Sequence, residues 1–246
     1  MSNLFYHLTD AQWDKIKFLF EKTVGRGRPP LNPRIVLDAI IWTMKSGGRW
    51  RDLPPEFGNW NSIYHKFRKW CEQGLFKRLL NLFTDEGTAL LEIDSTFCKV
   101  HQSAWSKNQA IGSSRGGKNT KIHVLLNEKM QVVNVILSGG NINDSDKALD
   151  LLASVDITGK KLLADRAYSC DKIRSYLESH GATVCIPDKI NFKVKHDFDA
   201  ELYKQRNLVE RFFQRIKNYR HIAFRFDKLA DCFLNFVLLD SAIIHF

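Results

Sequence analysis

The chain is poor in cysteine, with five in 246 residues and no Cys-x-x-Cys pair among them. That scatter argues against a zinc site or a disulfide framework and suits a reducing compartment. Long apolar runs are also missing, so no membrane-spanning helix is expected. The first residues lack the basic, apolar, small-residue succession of a signal peptide. Internal repeats and low-complexity tracts are absent. A soluble intracellular protein is therefore expected, long enough for one large domain or two small ones.

Negative charge is in short supply as well. There are 27 acidic residues against 37 lysines and arginines, and the pI is about 9.4. Up to Phe83 the count is 14 basic to 7 acidic, so +7 of the net +10 lies in the first third. Such polarised charge favours a polyanionic partner, nucleic acid before a membrane surface.

That first third reads as helices. Thr9 opens a Thr-x-x-Gln capping box with Gln12, and Trp13, Ile16 and Phe20 recur at helical spacing. Gly25 to Pro30, GRGRPP, suits neither a helix nor a central strand. Its Arg26 and Arg28 on a slim, extended backbone resemble the core of the AT-hook, an arm that fits a narrow minor groove. A basic linker fits the same residues. Asn32-Pro33 is an N-cap with proline at the first helical position, and Ile35, Val36, Ala39, Ile40 and Met44 form the buried face up to Gly47. After WRDLPPEFGNW, Asn61 is expected to cap a helix ending at Gly74, with Lys66, Arg68 and Lys69 pointing outward. Two helices joined by a tight loop, the second basic outside, resemble a helix-turn-helix reader. An ordinary helical domain with a solvated basic face has the same pattern.

From Thr88 the texture becomes that of alternating strands and helices. ALLEIDSTFCKV is an apolar strand interrupted by Asp94. Ser114 to Thr120 is a basic Gly-rich loop carrying Arg115 and Lys118. Strands are expected at Ile122–Leu126 and Val132–Leu137. A helix capped by Asn143-Asp144-Ser145 should follow, then a strand ending at Asp165, a helix from Ser169 to His180, and the short strand ATVCIP. Tyr203 to Lys217 has no proline or glycine and reads as one helix, on which Tyr203, Arg206, Glu210, Gln214 and Lys217 share a stripe. A solvated face crossed by i,i+4 charge pairs is the plain reading. Asp94 and Asp165 provide another. The first and fourth strands of this order are sheet neighbours, and a helix packed across them would bring Glu210 to both acids. Three converging carboxylates repel unless they hold divalent cations, and oxygen ligands select Mg²⁺ or Mn²⁺. Two such ions suit in-line phosphoryl transfer.

Tyr203, Arg206, Glu210 and Lys217 match a Tyr-x2-Arg-x3-Glu-x6-Lys signature without a gap. Together with LTDAQW, GRPP, WRDLPPEFGNW, EIDST, SRGGKNTKIH, ADRAY and RHIAFRFDK, they make the chain resemble bacterial insertion-sequence transposases of the DDE class. The resemblance spans nearly the whole chain. It departs at Phe224 and Phe226, where a threonine and a tyrosine are expected. It implies an RNase H-like α/β fold, a mixed sheet flanked by helices, at residues 88–246. A small all-α DNA-binding domain would occupy residues 1–83. Asp94, Asp165 and Glu210 would be the catalytic metal ligands for two Mg²⁺ ions, with Mn²⁺ as a substitute. Tyr203, Arg206 and Lys217 would contact transposon-end DNA. The implied partners are the terminal inverted repeats, target DNA and a second copy of the chain, with no membrane and no nucleotide cofactor. The implied place is the bacterial cytoplasm, at the nucleoid. A nuclease of the same fold and a non-catalytic regulator derived from a transposase are the rival readings.

Overall fold

The change of texture at Thr88 is a change of architecture in the computed structural model, which describes residues 7–20, 30–85, 87–190, 192 and 196–246. Arg26 and Arg28 lie outside the described residues. Among the described residues before Thr88 every regular element is helical. In α1 (Asp10–Ile16) the Thr9–Gln12 capping box is present. Asn32 caps α2 (Pro33–Ser46), and Gly47 closes it at φ 67°. A Cβ there would meet Arg220 Cβ at 2.9 Å, so glycine is required twice over.

Two expectations shift. The cap of α3 (Trp60–Glu72) is Asn59, not Asn61, because the Asn59 side chain accepts from the backbone N–H groups of Asn61 and Ser62. Ile35 is 41% exposed. The buried arc of α2 runs through Val36, Leu37, Ala39, Ile40, Ile41 and Met44, and Ile35 falls at its edge in the first turn. The connection between α2 and α3 occupies residues 47–59 with two 3-10 turns, longer than a tight loop. α4 (Leu75–Asn81) completes the segment.

The sheet is built on β1 (Leu90–Val100). On one side β1 pairs antiparallel with β3 (Gly117–Asn127). β3 in turn carries β2 (Gly112–Ser114) and β4 (Val132–Gly139) along its outer edge. On the other side β5 (Lys161–Ala164) and β6 (Thr183–Cys185) follow in parallel. This is the RNase H-like order, in which each parallel strand arrives through a helix, α5 (Asp144–Leu152) and then α6 (Asp171–Ser179). The expected loop at Ser114 to Thr120 is a hairpin instead. Only Arg115 and Gly116 lie between β2 and β3, and Lys118 is on the strand. The remaining elements are α7 (Ala200–Tyr203), α8 (Asn207–Ile216), α9 (Arg220–Ala223), β7 (Phe224–Arg225) and α10 (Ala230–Ile243).

One apolar cluster packs α5 and α6 on one face of the sheet through Leu91, Ile93, Leu151, Leu162, Ile173 and Leu177. A second cluster is larger. It joins Phe67, Phe76 and Leu79 of the N-terminal helices to Phe212 of α8, Phe233 and Phe236 of α10, and Val135 of β4. Phe67 and Phe236 have ring centroids 4.7 Å apart. We therefore propose the division between 1–83 and 88–246 as one of chain path and chemistry, with a single apolar core running across it.

Asp240 of α10 is fully buried, and neither of its carboxylate oxygens has a hydrogen-bond partner. Burial pushes its pKa well above the ordinary carboxylate value, with Lys45 and Arg215 pulling back. The folded state thus keeps a proton that the unfolded chain releases near pH ~4. Stability from this group is full below that pH and falls as pH rises through the gap between the two values. Asp240→Asn is expected to flatten that decline, read as a smaller loss of unfolding free energy between about pH 4 and pH 7 in urea titrations. An unchanged slope would assign the dependence to another group.

Candidate active site

Alternation along β1 puts Glu92, Asp94 and Thr96 on one face of the sheet. In the parallel pairing of β1 with β5, Ile93 stands opposite Ala164, and an aspartate follows each of them, Asp94 on β1 and Asp165 just past the end of β5. Asp94 and Asp165 thus directly follow the last paired position of the two strands, and the Asp165 charge is felt at Asp94. Asp165 also caps a 3-10 turn, its Oδ1 accepting from Ala167 N at 2.8 Å.

The stretch expected as one helix from Tyr203 to Lys217 is two helices with a 3-10 turn, Lys204–Arg206, between them. Glu92 supplies the reason. It is wholly buried, and its Oε2 accepts from Val209 N at 3.1 Å, a donor that an unbroken helix would direct to the carbonyl four residues back. Burial raises the Glu92 carboxyl to about 7, and its second oxygen has no partner. The two acids at alternate positions in LEIDS were the available sign of it.

This arrangement lays α8 against β1. Arg206 reaches Asp94 Oδ2 at 3.4 Å and Glu210 Oε1 at 2.9 Å, a bridge between acids 116 positions apart in sequence. The Tyr203 ring lies 5.8 Å from the Arg206 guanidinium carbon. Lys217 Nζ donates to Thr96 Oγ1 at 2.5 Å, and burial lowers its pKa. All four signature residues thus border the face that carries Asp94 and Asp165. Burial is the main cause that raises Asp94 to about 6, and the charges of Asp165 and Asp144 add to it.

Among the described residues, no three His, Cys, Asp or Glu side chains stand ready-made around a metal position. The Arg206 cation takes that place between Asp94 and Glu210. The donor set still fits a hard ion: it consists of carboxylate oxygens alone, Asp94 Oδ2 is only loosely held, and the Glu210 side chain is 57% exposed and free to swing. Asp94, Asp165 and Glu210 would hold Mg²⁺ or Mn²⁺ once Arg206 gives way.

A second polar group adjoins these acids. Asp144 was read as part of a helix cap, yet Asn143 is the N-cap residue and makes no side-chain cap bond. The Asp144 Oδ1 instead accepts from Ser95 Oγ at 2.5 Å and from Lys121 Nζ at 3.0 Å. Lys121 and His123 are buried beside it, and burial lowers His123 to about 4, leaving it neutral. Ser95 is also the residue whose N–H donates to Asp94 Oδ1, at 2.7 Å. Lys121 and His123 close the SRGGKNTKIH motif, but the sequence pattern assigned no role to either, since their neighbours on the strand are apolar.

The other expected DNA contacts lie elsewhere. Lys66, Arg68 and Lys69 are on α3, where Arg68 pairs with Glu72 at 3.1 Å and Lys66 lies over the Trp70 ring. Arg115 and Lys118 are at the β2–β3 hairpin. Asp94 pairs with Val124, so Lys118 lies six residues further along β3, about 20 Å away.

Residues 85–245 match the family described as "Transposase DDE domain", and residues 8–80 match "Putative transposase of IS4/5 family". The chain belongs to the DDE transposase family. Its relatives include the protein y4sN of Sinorhizobium fredii, 37% identical over 43% of this chain and 86% of that one. A "Putative transposase for insertion sequence element IS6501" from Brucella ovis is 32% identical over 51% of this chain and 96% of its own length. Among solved structures, a piggyBac transposase synaptic complex with hairpin DNA aligns with 77% of this transposase and 50% of its own chain. Its TM-score is 0.49 at 12% identity. The Mos1 mariner catalytic domain aligns with 72% of this transposase and 88% of its own chain, with a TM-score of 0.30 at 11% identity. No helix among the described residues is long and apolar enough to cross a membrane.

Proposed function

We propose that this transposase cuts the ends of an insertion sequence and joins them to target DNA in a divalent-metal-dependent reaction. The observation that supports this reading is the β1–β5 register, which ends one residue short of Asp94 and Asp165, together with the Arg206 bridge from Asp94 to Glu210. Bound Mg²⁺ would supply electrophilic stabilisation of the attacking and leaving oxygens. Asp94, Asp165 and Glu210 would hold it. Lys217, poised at Thr96, would grip the scissile phosphate as a point charge. Arg206, released from Asp94, would turn its fork to a neighbouring phosphate of the transposon end. Tyr203 would bound the site. Hydrolysis leaves a 3′-hydroxyl, and that hydroxyl then displaces a phosphodiester oxygen in target DNA. Each step exchanges one P–O bond for another, without ATP and without a covalent protein intermediate. The basic helices of residues 1–83 would recognise the terminal inverted repeats, and a dimer would hold two ends together.

The test is a labelled duplex carrying the element's own end, incubated with Mg²⁺ and a second DNA. Nicking at the end followed by joined product supports the reading. Nicking with no joined product under any condition favours the nuclease, and binding with neither favours the regulator.

Asp144 has a part in the same reading as the acceptor that orients Ser95 and so steadies Asp94. Asp144→Ala is expected to slow end cleavage about 10–100-fold while leaving affinity for end DNA unchanged, as groups that orient metal ligands do. Cleavage at the wild-type rate would reduce the Ser95–Asp144–Lys121 group to a packing device.

A further inference from the structure

Beyond the acids, a cavity of about 410 Å³ opens between the loop after α2 and the turn after β7. Its size is that of a small-ligand site. One wall is Trp50, Arg51, Trp60 and Tyr64, and the other is Phe226 and Lys228. Trp50 and Tyr64 stand against each other with ring centroids 5.4 Å apart, and the Arg51 guanidinium lies over the Trp60 ring at 5.3 Å. Neither Arg51 nor Lys228 forms an ion pair among the described residues, whereas Arg49 at the rim is taken by Asp52. Asp227, the acid of this wall, is held by His221 at 2.6 Å.

The walls are built rather than incidental. Arg225 is completely buried, and its guanidinium donates to the carbonyls of Asp227 at 2.9 Å and Lys228 at 3.3 Å. The same group reaches Thr120 Oγ1 at 2.8 Å and the Gln109 carbonyl at 2.9 Å. A desolvated arginine thus fixes the turn that presents Phe226 and Lys228. Trp50 anchors the opposite wall, with Phe67 at 5.4 Å and Phe236 at 6.1 Å.

Position completes the argument. β7 pairs with the end of β1, Val100 opposite Arg225. Asp94 is six residues back along that strand, about 20 Å away. DNA rises about 3.4 Å per nucleotide, so the cavity stands roughly six nucleotides from a phosphate at the acids. Aromatic faces beside two cations that form no ion pair among the described residues, one of them already over the Trp60 ring, form a site for a base and its flanking phosphate.

We propose that this cavity takes one unpaired base of the bound DNA, stacked on Trp60, with its phosphate on Arg51 and Lys228. The inference rests on the DNA-cutting reading above. The experiment uses full-length protein carrying Glu210→Gln, so that DNA stays intact, and end DNA with a single abasic site walked through roughly the first ten nucleotides. Against unmodified DNA, Trp60→Ala should weaken binding on the order of 10-fold to 100-fold, the range of a lost base–aromatic stack. Against DNA abasic at one position near the sixth, the same substitution should cost nothing. A Trp60→Ala loss that persists with every abasic DNA, or no loss at all, would overturn the proposal. Lys228→Gln, at an exposed site, guards against misfolding of the tryptophan variant. It should lower affinity and reduce the salt slope by about one. An unchanged slope would also overturn the proposal. Failure of the cutting reading shows separately, as wild-type protein that does not nick.

Discussion

Glu210→Gln is expected to abolish end cleavage, by a factor on the order of 10³ or more, while the protein still binds end DNA. The amide keeps the size of the side chain and its place on α8 but removes the charge that would hold a cation. Glu210 is the acid most able to move, with its side chain 57% exposed and one contact, to Arg206. Loss of the Arg206–Glu210 pair is itself a minor matter, worth a few tenths of a kcal/mol for an exposed i,i+4 pair. The fold should therefore survive, and a thermal melt would show it. Single-turnover cleavage with Mg²⁺ is the measurement. A variant that cuts at the wild-type rate would remove Glu210 from the site and leave Asp94 and Asp165 to find another partner, with Asp144 the nearest candidate by its contact with Ser95.

Phe236→Ala is expected to cost about 3–5 kcal/mol, the usual toll of emptying a buried phenylalanine site. Phe236 is wholly buried, and it touches rings from three separate stretches of chain. Phe67 lies at 4.7 Å, Trp50 at 6.1 Å and His221 at 4.4 Å. The loss should be felt on both sides of residue 84. Five of the six tryptophans precede that residue, so indole fluorescence follows the N-terminal helices, while far-UV dichroism follows the whole chain. Coincident shifts of both signals to lower denaturant are the expected result. If the fluorescence midpoint stayed put while the dichroism midpoint fell, the shared core would be wrong, and residues 1–83 would be an independently stable module.

Much of this protein was legible from local patterns. Thr9 with Gln12, Asn32 with Pro33, and Gly47 announced helix ends through capping chemistry that acts within four residues, and those ends stand where expected. The two aspartates were conspicuous because each interrupts or closes an apolar run. The N-cap of α3 was misread because two asparagines stand two positions apart and only geometry chooses between them. The break before α8 was invisible because its cause, Glu92, is more than 100 positions away from Val209.

The sequence by itself determined the order of the main elements, β2 and β7 excepted, the helical first third, the alternating remainder and the spacing of Tyr203, Arg206, Glu210 and Lys217, since all of these depend on neighbours along the chain. Only the tertiary structure decided that Arg206 stands between Asp94 and Glu210, that Asp144 turns to Ser95 and Lys121, and that Phe226 and Lys228 face Arg51 and Trp60. Apart from the i,i+4 pair of Arg206 with Glu210, each of those contacts joins segments more than 20 positions apart, and sheet register together with burial selects them. Backbone pairing is set by the whole pattern of apolar faces, and a slip of one residue would turn Asp94 away from Asp165.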